Sequence, residues 1–247
     1  MNFESIWPKE TNSILSFKEL SIDVGHKNDG YFYAWADVKD KNKKLKLRVT
    51  KGNKIYNYDL NRNGEKEIFP FQLGNGVYVI TLFQNRVGKL YRQLGTLSVN
   101  VELKNEFSPF LCPSQYVNYT ENSEVLEKAR ELCENLTDDT EKIEALRAFI
   151  KKGFVYDYVR AITIAENYLG DAQKCFDTRI GLCLDFSVLF AAMTRSLGIP
   201  TKLVIGYAGL TYHAWNEVYL NGTWETIDTT ADITRNKVKR YRAERFY

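Results

Sequence analysis

A cysteine, a histidine and an aspartate in the last third of the chain are the residues best suited to act together chemically. Cys183 precedes a segment, 184–197, whose apolar residues recur at helical spacing and which Gly198 and Pro200 terminate. Free backbone N–H groups and the helix dipole at such a helix start favour a thiolate and can stabilise an oxyanion. By itself, however, a cysteine among apolar residues is more typical of a buried core thiol.

A predicted hairpin supplies the other two residues. The period-2 segments Tyr212–Leu220 and Thr223–Thr229 flank the dipeptide Asn221-Gly222. Asn-Gly between two such segments indicates a two-residue type I′ turn, in which Leu220 pairs with Thr223.

This register decides whether His213 and Asp228 can meet. It places Asp228 opposite Trp215, on the same face of the sheet as His213, with the Cα atoms of the two residues about 7–8 Å apart. A slip of one residue would turn Asp228 to the other face. The expected hairpin therefore permits a His–Asp dyad. The alternative is a satisfied or exposed histidine, but the chain has only two histidines and one of them is correctly phased.

Residues 1–108 are predicted to form an antiparallel β-sandwich with an immunoglobulin-like general shape. Short period-2 runs alternate with turn signals such as Asn63-Gly64 and Gly74-Asn75-Gly76. The predicted strands are Ile14–Val24, Tyr31–Val38, Leu45–Thr50, Lys54–Leu60, Ile68–Leu73, Val77–Phe83 and Leu90–Leu103.

Residues 109–247 are predicted to form an α+β domain. A first helix begins at Asn122 or Ser123 and extends to Leu136, and a second begins at a capping box that starts with Asp138 and ends at Gly153. A third helix is expected over 159–169. After the helix over 184–197, a strand over 202–207 precedes the hairpin.

Composition excludes several classes of function. The 247 residues carry 34 Lys and Arg against 31 Asp and Glu, a net charge of +3 that indicates no nucleic-acid partner. No apolar run reaches the length of a membrane span, so we expect no membrane insertion. The N-terminus has neither a basic nor an apolar signal region, so no export signal is expected in this chain.

The four cysteines show no spacing typical of metal ligands. Without a CxxC pair, zinc is not expected, and without an EF-hand pattern, calcium is not expected either. We therefore predict no metal and no cofactor. If Cys183 is a free catalytic thiol, the other three cysteines allow at most one internal disulfide.

Several ordered motifs resemble the transglutaminase-like superfamily of thiol acyltransferases and peptidases. The resemblance covers about residues 109–247 and not the N-terminal β region. The matching strings are Gly-x-Cys-x-Asp-Phe at 181–186, Gly-Ile-Pro-Thr-Lys at 198–202, Gly-Tyr at 206–207, His-Ala-Trp-Asn-Glu-Val-Tyr at 213–219 and Trp-Glu-Thr-Ile-Asp-Thr-Thr at 224–230. Segments 113–119 and 154–158 also resemble bacterial members. Thr229 departs from the pattern, because proline is common after the aspartate.

The resemblance implies a papain-like α+β fold with Cys183 as nucleophile, His213 as general base and acid, and Asp228 as the carboxylate that orients His213. Such a triad performs acyl transfer on amide bonds of protein or peptide substrates, with cell-wall peptide among the candidates. One oxyanion donor is expected to be the N–H of Cys183, and Gln173 and Tyr156 are candidates for the second.

Two questions stay open at this level. Hydrolysis and transglutaminase-type transfer share the same triad, so spacing alone does not separate a cysteine peptidase from an acyltransferase. The other class of function is a binding or scaffold protein that keeps the fold without turnover. Relatives are often extracellular or at the cell surface, whereas this chain begins without a leader, so localisation is not predicted; neither is oligomeric state.

Overall fold

A computed structural model describes residues 3–165, 167–236, 238 and 240–247. The protein is α+β, and the chain divides into two compact units. One unit is Pro8–Pro109, and the other comprises the residues up to Trp7 together with Phe110–Tyr247. The boundary predicted from the sequence lies between residues 108 and 109.

The Pro8–Pro109 unit, every residue of which the structure describes, contains two four-stranded antiparallel sheets. Its strands are β1 (Ile14–Phe17), β2 (Leu20–Asp23), β3 (Tyr31–Ala36), β4 (Leu45–Lys51), β5 (Lys54–Leu60), β6 (Glu67–Pro70), β7 (Gly76–Val87) and β8 (Leu90–Val101). The strand order is β1-β2-β3-β6 in one sheet and β5-β4-β7-β8 in the other.

Buried aromatic side chains join these two sheets. The ring of Phe69 on β6 contacts the ring of Tyr58 on β5, with centroids 5.0 Å apart, and these strands belong to different sheets. Phe32 on β3 packs against Phe69 and Phe71. The apolar face of each sheet is therefore buried against the other sheet, as the period-2 alternation of apolar residues along the strands predicts.

One predicted strand of this unit is wrong. The run Ile14–Val24 is a hairpin of β1 and β2 in which Phe17 pairs with Leu20. The chain turns at Lys18, which adopts a left-handed φ of 54°. Neither Lys18 nor Glu19 is a typical turn residue, so the reversal leaves no signal in the sequence.

The second unit surrounds an antiparallel sheet with helices. Its elements are α1 (Glu124–Cys133), α2 (Asp139–Gly153), β9 (Val155–Tyr156), α3 (Tyr158–Thr163), α4 (Ala172–Thr178), β10 (Ile180–Gly181), α5 (Cys183–Ser196), β11 (Thr201–Ala208), β12 (Thr211–Leu220), β13 (Thr223–Ile227), α6 (Thr229–Thr234) and β14 (Tyr241–Phe246). The sheet order is β13-β12-β11-β14, and the short strands β9 and β10 pair in parallel.

Helix α5 is the central element of this unit. Residues 185–195 are all buried, because α5 packs against β11 and β12 on one side and against other helices around it. The predicted end is confirmed: Gly198, just beyond the helix, has a left-handed φ of 75°. Among the described residues, neither α5 nor another helix has the length and apolar character to cross a membrane.

The predicted hairpin register is confirmed. Leu220 pairs with Thr223, and the pairing continues to Asn216 opposite Ile227. Asn221 and Gly222 both have positive φ, 51° and 87°, as a type I′ turn requires.

The predicted end of the second hairpin strand is wrong. The strand ends at Ile227 rather than Thr229, because Asp228 is the N-cap of α6 and its carboxylate accepts a hydrogen bond from the backbone N–H of Ala231. The third predicted helix, 159–169, is also too long, since α3 spans only Tyr158–Thr163.

Gly206 allows β14 to approach β11 closely. It lies on β11, paired with His213 on β12 and with Ala243 on β14, where the register shifts. A Cβ atom at this position would lie 2.2 Å from the backbone oxygen of Arg242. Only glycine therefore allows β14 to approach β11 this closely.

Replacing Gly206 with alanine is predicted to lower the free energy of unfolding by about 1–3 kcal/mol, because β14 would have to move. Urea unfolding measures the change. The matched control is Gly153→Ala in the same unit, where a Cβ atom meets nothing within 4 Å. Equal stability of the two variants would contradict the close approach of β11 and β14.

Candidate active site

Cys183 is the first residue of α5. Leu182 is the N-cap residue of α5 and has an extended backbone, so the sulfur of Cys183 lies where the first N–H groups of the helix have no intrahelical acceptor. Cys183 is partly exposed, whereas the other cysteines, Cys112, Cys133 and Cys175, are buried. All four thiols are free. Cys183 is therefore the cysteine that a substrate can reach.

His213 and Asp228 are in direct contact. Nε2 of the imidazole lies 2.8 Å from Oδ2 of Asp228, and both side chains are largely buried. The contact follows from the confirmed register, which carries Asp228 past the end of β13 on the side of the sheet that His213 occupies.

Cys183 and His213 are also neighbours. Both line the same cavity, and the Cys183 side chain is a hydrogen-bond partner of the imidazole. Because Nε2 is engaged by Asp228, Nδ1 is the ring nitrogen left for the sulfur. The structure thus brings together the three residues that the sequence singled out. His213 lies 30 positions after Cys183, and Asp228 lies 45 positions after it.

Electrostatic interactions favour the charged forms of both His213 and Asp228. Burial by itself lowers the pKa of His213, but the hydrogen bonds to Asp228 and Cys183 outweigh burial and raise that pKa to about 9. Burial raises the pKa of Asp228, yet the hydrogen bond and the charge of His213 hold it below its usual value. His213 is therefore an imidazolium at neutral pH in the free protein.

Tyr241 completes the surroundings of Asp228, and its role was not predicted from the sequence. Its phenol donates a hydrogen bond of 2.8 Å to Oδ2, the oxygen that also contacts His213. Burial raises the pKa of Tyr241, so the phenol remains a donor. Its strand, β14, was not predicted, because four of its six residues are exposed and the segment lacks apolar alternation.

Trp215 shields this contact from water. It is almost fully buried, its ring stacks near His213 at 6.4 Å, and it contacts the ring of Tyr241 at 5.0 Å. An apolar wall of this kind strengthens the ion pair, because it excludes solvent that would screen the charges.

The cavity at Cys183 has a volume of about 700 Å³. Its walls come from the start of α5, from residues within 161–165 together with Asn167 and Tyr168, from β11 and β12, and from the end of the chain at Arg245 and Tyr247. Most of the lining side chains are aromatic or aliphatic. This volume and lining are typical of a site that holds an organic ligand or a stretch of peptide.

Asp185 anchors one wall of this cavity. It is 2% exposed, and its carboxylate accepts hydrogen bonds from the phenol of Tyr168, from Arg160 at 3.3 Å and from the backbone N–H of Leu182 at 2.9 Å. The sequence suggests helix-start electrostatics for an acidic residue in the first turn, and the bond to Leu182 fits this suggestion. The contacts of Asp185 with Arg160 and Tyr168 were not predicted from the sequence, because they join segments that are far apart along the chain.

Only one of the two side chains considered for an oxyanion donor lies at the site. Tyr156 lines the cavity and pairs, on β9, with Gly181, two residues before Cys183. Burial raises the pKa of Tyr156 to about 12, and the charge of Cys183 acts in the same direction, so the phenol stays protonated. Gln173, in contrast, binds Asp177 on the exposed side of α4.

The described residues contain no cluster of three or more His, Cys, Asp or Glu side chains arranged to hold a metal ion. Two acidic residues of this region are already engaged, since Asp185 binds Arg160 and Asp228 binds His213. The geometry therefore offers acid–base and nucleophilic groups rather than a ligand set.

Part of the chain is similar to a known family and to known proteins. Residues 127–229 match the sequence model of the transglutaminase-like superfamily. The uncharacterised protein YebA of Bacillus subtilis strain 168 is 29% identical over 135 residues. That alignment covers 44% of this chain but only 18% of YebA, so this chain matches a small part of a longer relative.

Two solved structures are also similar to this chain. A candidate cysteine protease of Cytophaga hutchinsonii aligns over 81% of this chain and 71% of its own, with 19% identity and a TM-score of 0.44. A structure described as a TGase aligns over 62% of this chain and 45% of its own, with 24% identity and a TM-score of 0.42.

We expect the His213 imidazole to titrate near pH 9, because Asp228 stabilises its charged form. Proton NMR of a His26→Gln background isolates the His213 signal, since the chain has two histidines. Asp228→Asn should move the midpoint down toward the ordinary value of 6.5. A midpoint that Asp228→Asn leaves unchanged would contradict the assigned contact.

The same shift predicts how stability depends on pH. The pKa of His213 is higher in the folded than in the unfolded state, so its contribution to stability is fully present below about pH 6.5 and is lost as pH rises through about 9. Urea unfolding at several pH values, compared with His213→Ala, measures this contribution.

Asp185→Asn is predicted to loosen the cavity wall, because it removes the charge that holds Arg160. We expect a loss of about 1–3 kcal/mol in stability and faster proteolysis within 158–168. Asp177→Asn is the control, since Asp177 binds only on the exposed side of α4. If both variants are cleaved at the wild-type rate, Asp185 does not anchor this wall.

Proposed function

We propose that this chain, whose residues 127–229 match the model of the transglutaminase-like superfamily, catalyses thiol-dependent acyl transfer on amide bonds of proteins or peptides. The observation that carries the proposal is the continuous contact from Cys183 through His213 to Asp228 at the wall of one cavity. The proposed roles are nucleophile for Cys183, general acid and base for His213, and orienting carboxylate for Asp228.

The first half-reaction would acylate Cys183. Its thiolate attacks the amide carbonyl carbon, so that an S–C bond forms and an electron pair moves to the carbonyl oxygen. His213 then gives its proton to the leaving nitrogen as the C–N bond breaks. The products are a thioester on Cys183 and a free amine.

The second half-reaction would release the acyl group. Water or an amine attacks the thioester carbon, and neutral His213 accepts the proton of that nucleophile. The C–S bond breaks, and the electron pair returns to sulfur. Water gives a carboxylic acid, the outcome of a cysteine peptidase, whereas an amine gives a new amide, the outcome of a transglutaminase-type transferase.

Asp228 and Tyr241 would keep His213 in the working orientation. The carboxylate accepts a hydrogen bond from Nε2–H, so Nδ1 faces the sulfur in each protonation state. Tyr241 donates to the same carboxylate oxygen and limits its rotation.

The developing oxyanion needs donors close to the sulfur. We assign one to the backbone N–H of Cys183 at the start of α5, and the second to the phenol of Tyr156. The position of Tyr156 beside Gly181 and its protonated phenol support this assignment.

For the N-terminal unit we propose an accessory role and an immunoglobulin-like sandwich. The chain switches sheet between β3 and β4, between β5 and β6 and between β6 and β7, and the two sheets pack through Tyr58 and Phe69. Such switching is typical of sandwiches of this type.

The alternative is a binding or scaffold protein that retains the fold without turnover. The contact from the accessible Cys183 through His213 to Asp228 favours the enzyme over this alternative, because ionisable groups with shifted pKa values that meet in a cavity are typical of functional sites.

Alkylation of Cys183 separates these two readings. Iodoacetamide is expected to modify Cys183 well below pH 8, and the rate in that range should collapse in His213→Ala, because the imidazolium that favours the thiolate is gone. Mass spectrometry assigns the modified residue, and the buried Cys112, Cys133 and Cys175 provide the internal reference. A Cys183 that reacts as slowly as these three would favour the scaffold.

Incubation of the same preparation with casein, with and without a dansylated amine, identifies the reaction. Fragments indicate hydrolysis and fluorescent adducts indicate transfer, and either should vanish in Cys183→Ala and persist in Cys175→Ala. Absence of both products in a preparation with a reactive Cys183 would exclude casein as substrate and direct the search to specialised peptides such as those of the cell wall.

A further inference from the structure

Arg245 is a charged residue of the cavity wall. Among the described lining residues, the ionisable groups besides Cys183 and His213 are tyrosines and Arg245, and no aspartate or glutamate is present. Because the charge of His213 is already paired with Asp228, Arg245 is the cationic lining group to consider for a ligand.

Arg245 lines the same cavity as the reacting groups Cys183 and His213. It lies on β14 and pairs with Ile205 on β11, and Ile205 pairs with Ala214 on β12. Ala214 and His213 point to opposite faces of β12, so the relation of Arg245 to His213 rests on the shared cavity and not on the strand register.

The guanidinium of Arg245 is not neutralised by an acidic side chain of the described residues. It donates a hydrogen bond to Tyr247, and tyrosines surround it. Three other arginines of this unit differ, because Arg147 binds Asp232, Arg160 binds Asp185 and Arg242 binds Glu244. Arg245 therefore keeps its charge available to a ligand in the cavity.

A carboxylate is the group that this arrangement best recognises. A guanidinium binds carboxylates through two parallel hydrogen bonds, and aromatic walls reduce the competing hydration. A neutral or cationic ligand would leave the charge of Arg245 uncompensated.

We propose that the acyl donor carries a carboxylate within a few residues of the reacting carbonyl, and that Arg245 binds it. One cavity is lined by both Cys183 and Arg245, so the carbonyl and the carboxylate belong to the same short peptide segment. This inference rests on the proposed function, and it names the substrate class as acidic peptide segments.

Matched peptide probes test the inference. Peptidyl acyloxymethyl ketones alkylate a catalytic cysteine: the sulfur forms a bond to the methylene carbon next to the ketone, and the acyloxy group leaves as a carboxylate. Probes with one Glu at the second, third or fourth residue from the ketone are compared with the same probes carrying Gln. Intact-mass spectrometry then gives the labelling rate of Cys183.

The wild-type chain is expected to react about fivefold to tenfold faster with the best Glu probe than with its Gln counterpart. The preference should disappear in Arg245→Gln, remain in part in Arg245→Lys and weaken at high salt. Arg242→Gln is the matched control, because it removes a positive charge from the same strand outside the cavity lining, and it should keep the full preference.

Iodoacetamide reactivity, measured in parallel, distinguishes the two levels of failure. If Cys183 reacts with iodoacetamide but labels equally with Glu and Gln probes, or with neither, the acidic-substrate inference is wrong and the proposed function stands. If the preference survives in Arg245→Gln, the assignment to Arg245 is wrong. If Cys183 lacks reactivity toward iodoacetamide and all probes, the proposed function fails, and this inference fails with it.

Discussion

The contact between His213 and Asp228 depends on a constraint that lies several residues away, in the turn between β12 and β13. Asn221 and Gly222 adopt the positive φ angles that a two-residue turn requires, and that turn sets the pairing of every residue along the hairpin. A slip of one residue would turn Asp228 away from His213. A second interaction fixes the position of Asp228, because its other carboxylate oxygen accepts the hydrogen bond that caps α6.

The charged site is possible only because its members compensate each other. Burial opposes the charge on both His213 and Asp228, and each charge offsets this cost for the other. Tyr241 adds a donor to the shared carboxylate, and Trp215 keeps water out. Removing one member would therefore leave the remaining one as a buried group without its partner.

The first turn of α5 combines two tasks. Its first residue, Cys183, presents the sulfur, and its third, Asp185, ties Arg160 and Tyr168 to the same helix. The thiol and one wall of the cavity are consequently fixed to a single rigid element. Because α5 is buried along its length against the sheet, a movement of this wall relative to the sulfur would require the anchor at Asp185 to break.

Local chemistry along the sequence determined the start of α5 at Cys183, the turn at Asn221-Gly222 and hence the phase of His213 with Asp228, because each depends on neighbouring residues alone. The tertiary structure decided which residues complete the site. Tyr241 and Arg245 lie on an exposed edge strand without apolar periodicity, and Arg160 and Tyr168 reach Asp185 across separate segments. Such contacts arise from packing between elements, and no period or spacing in the chain encodes them.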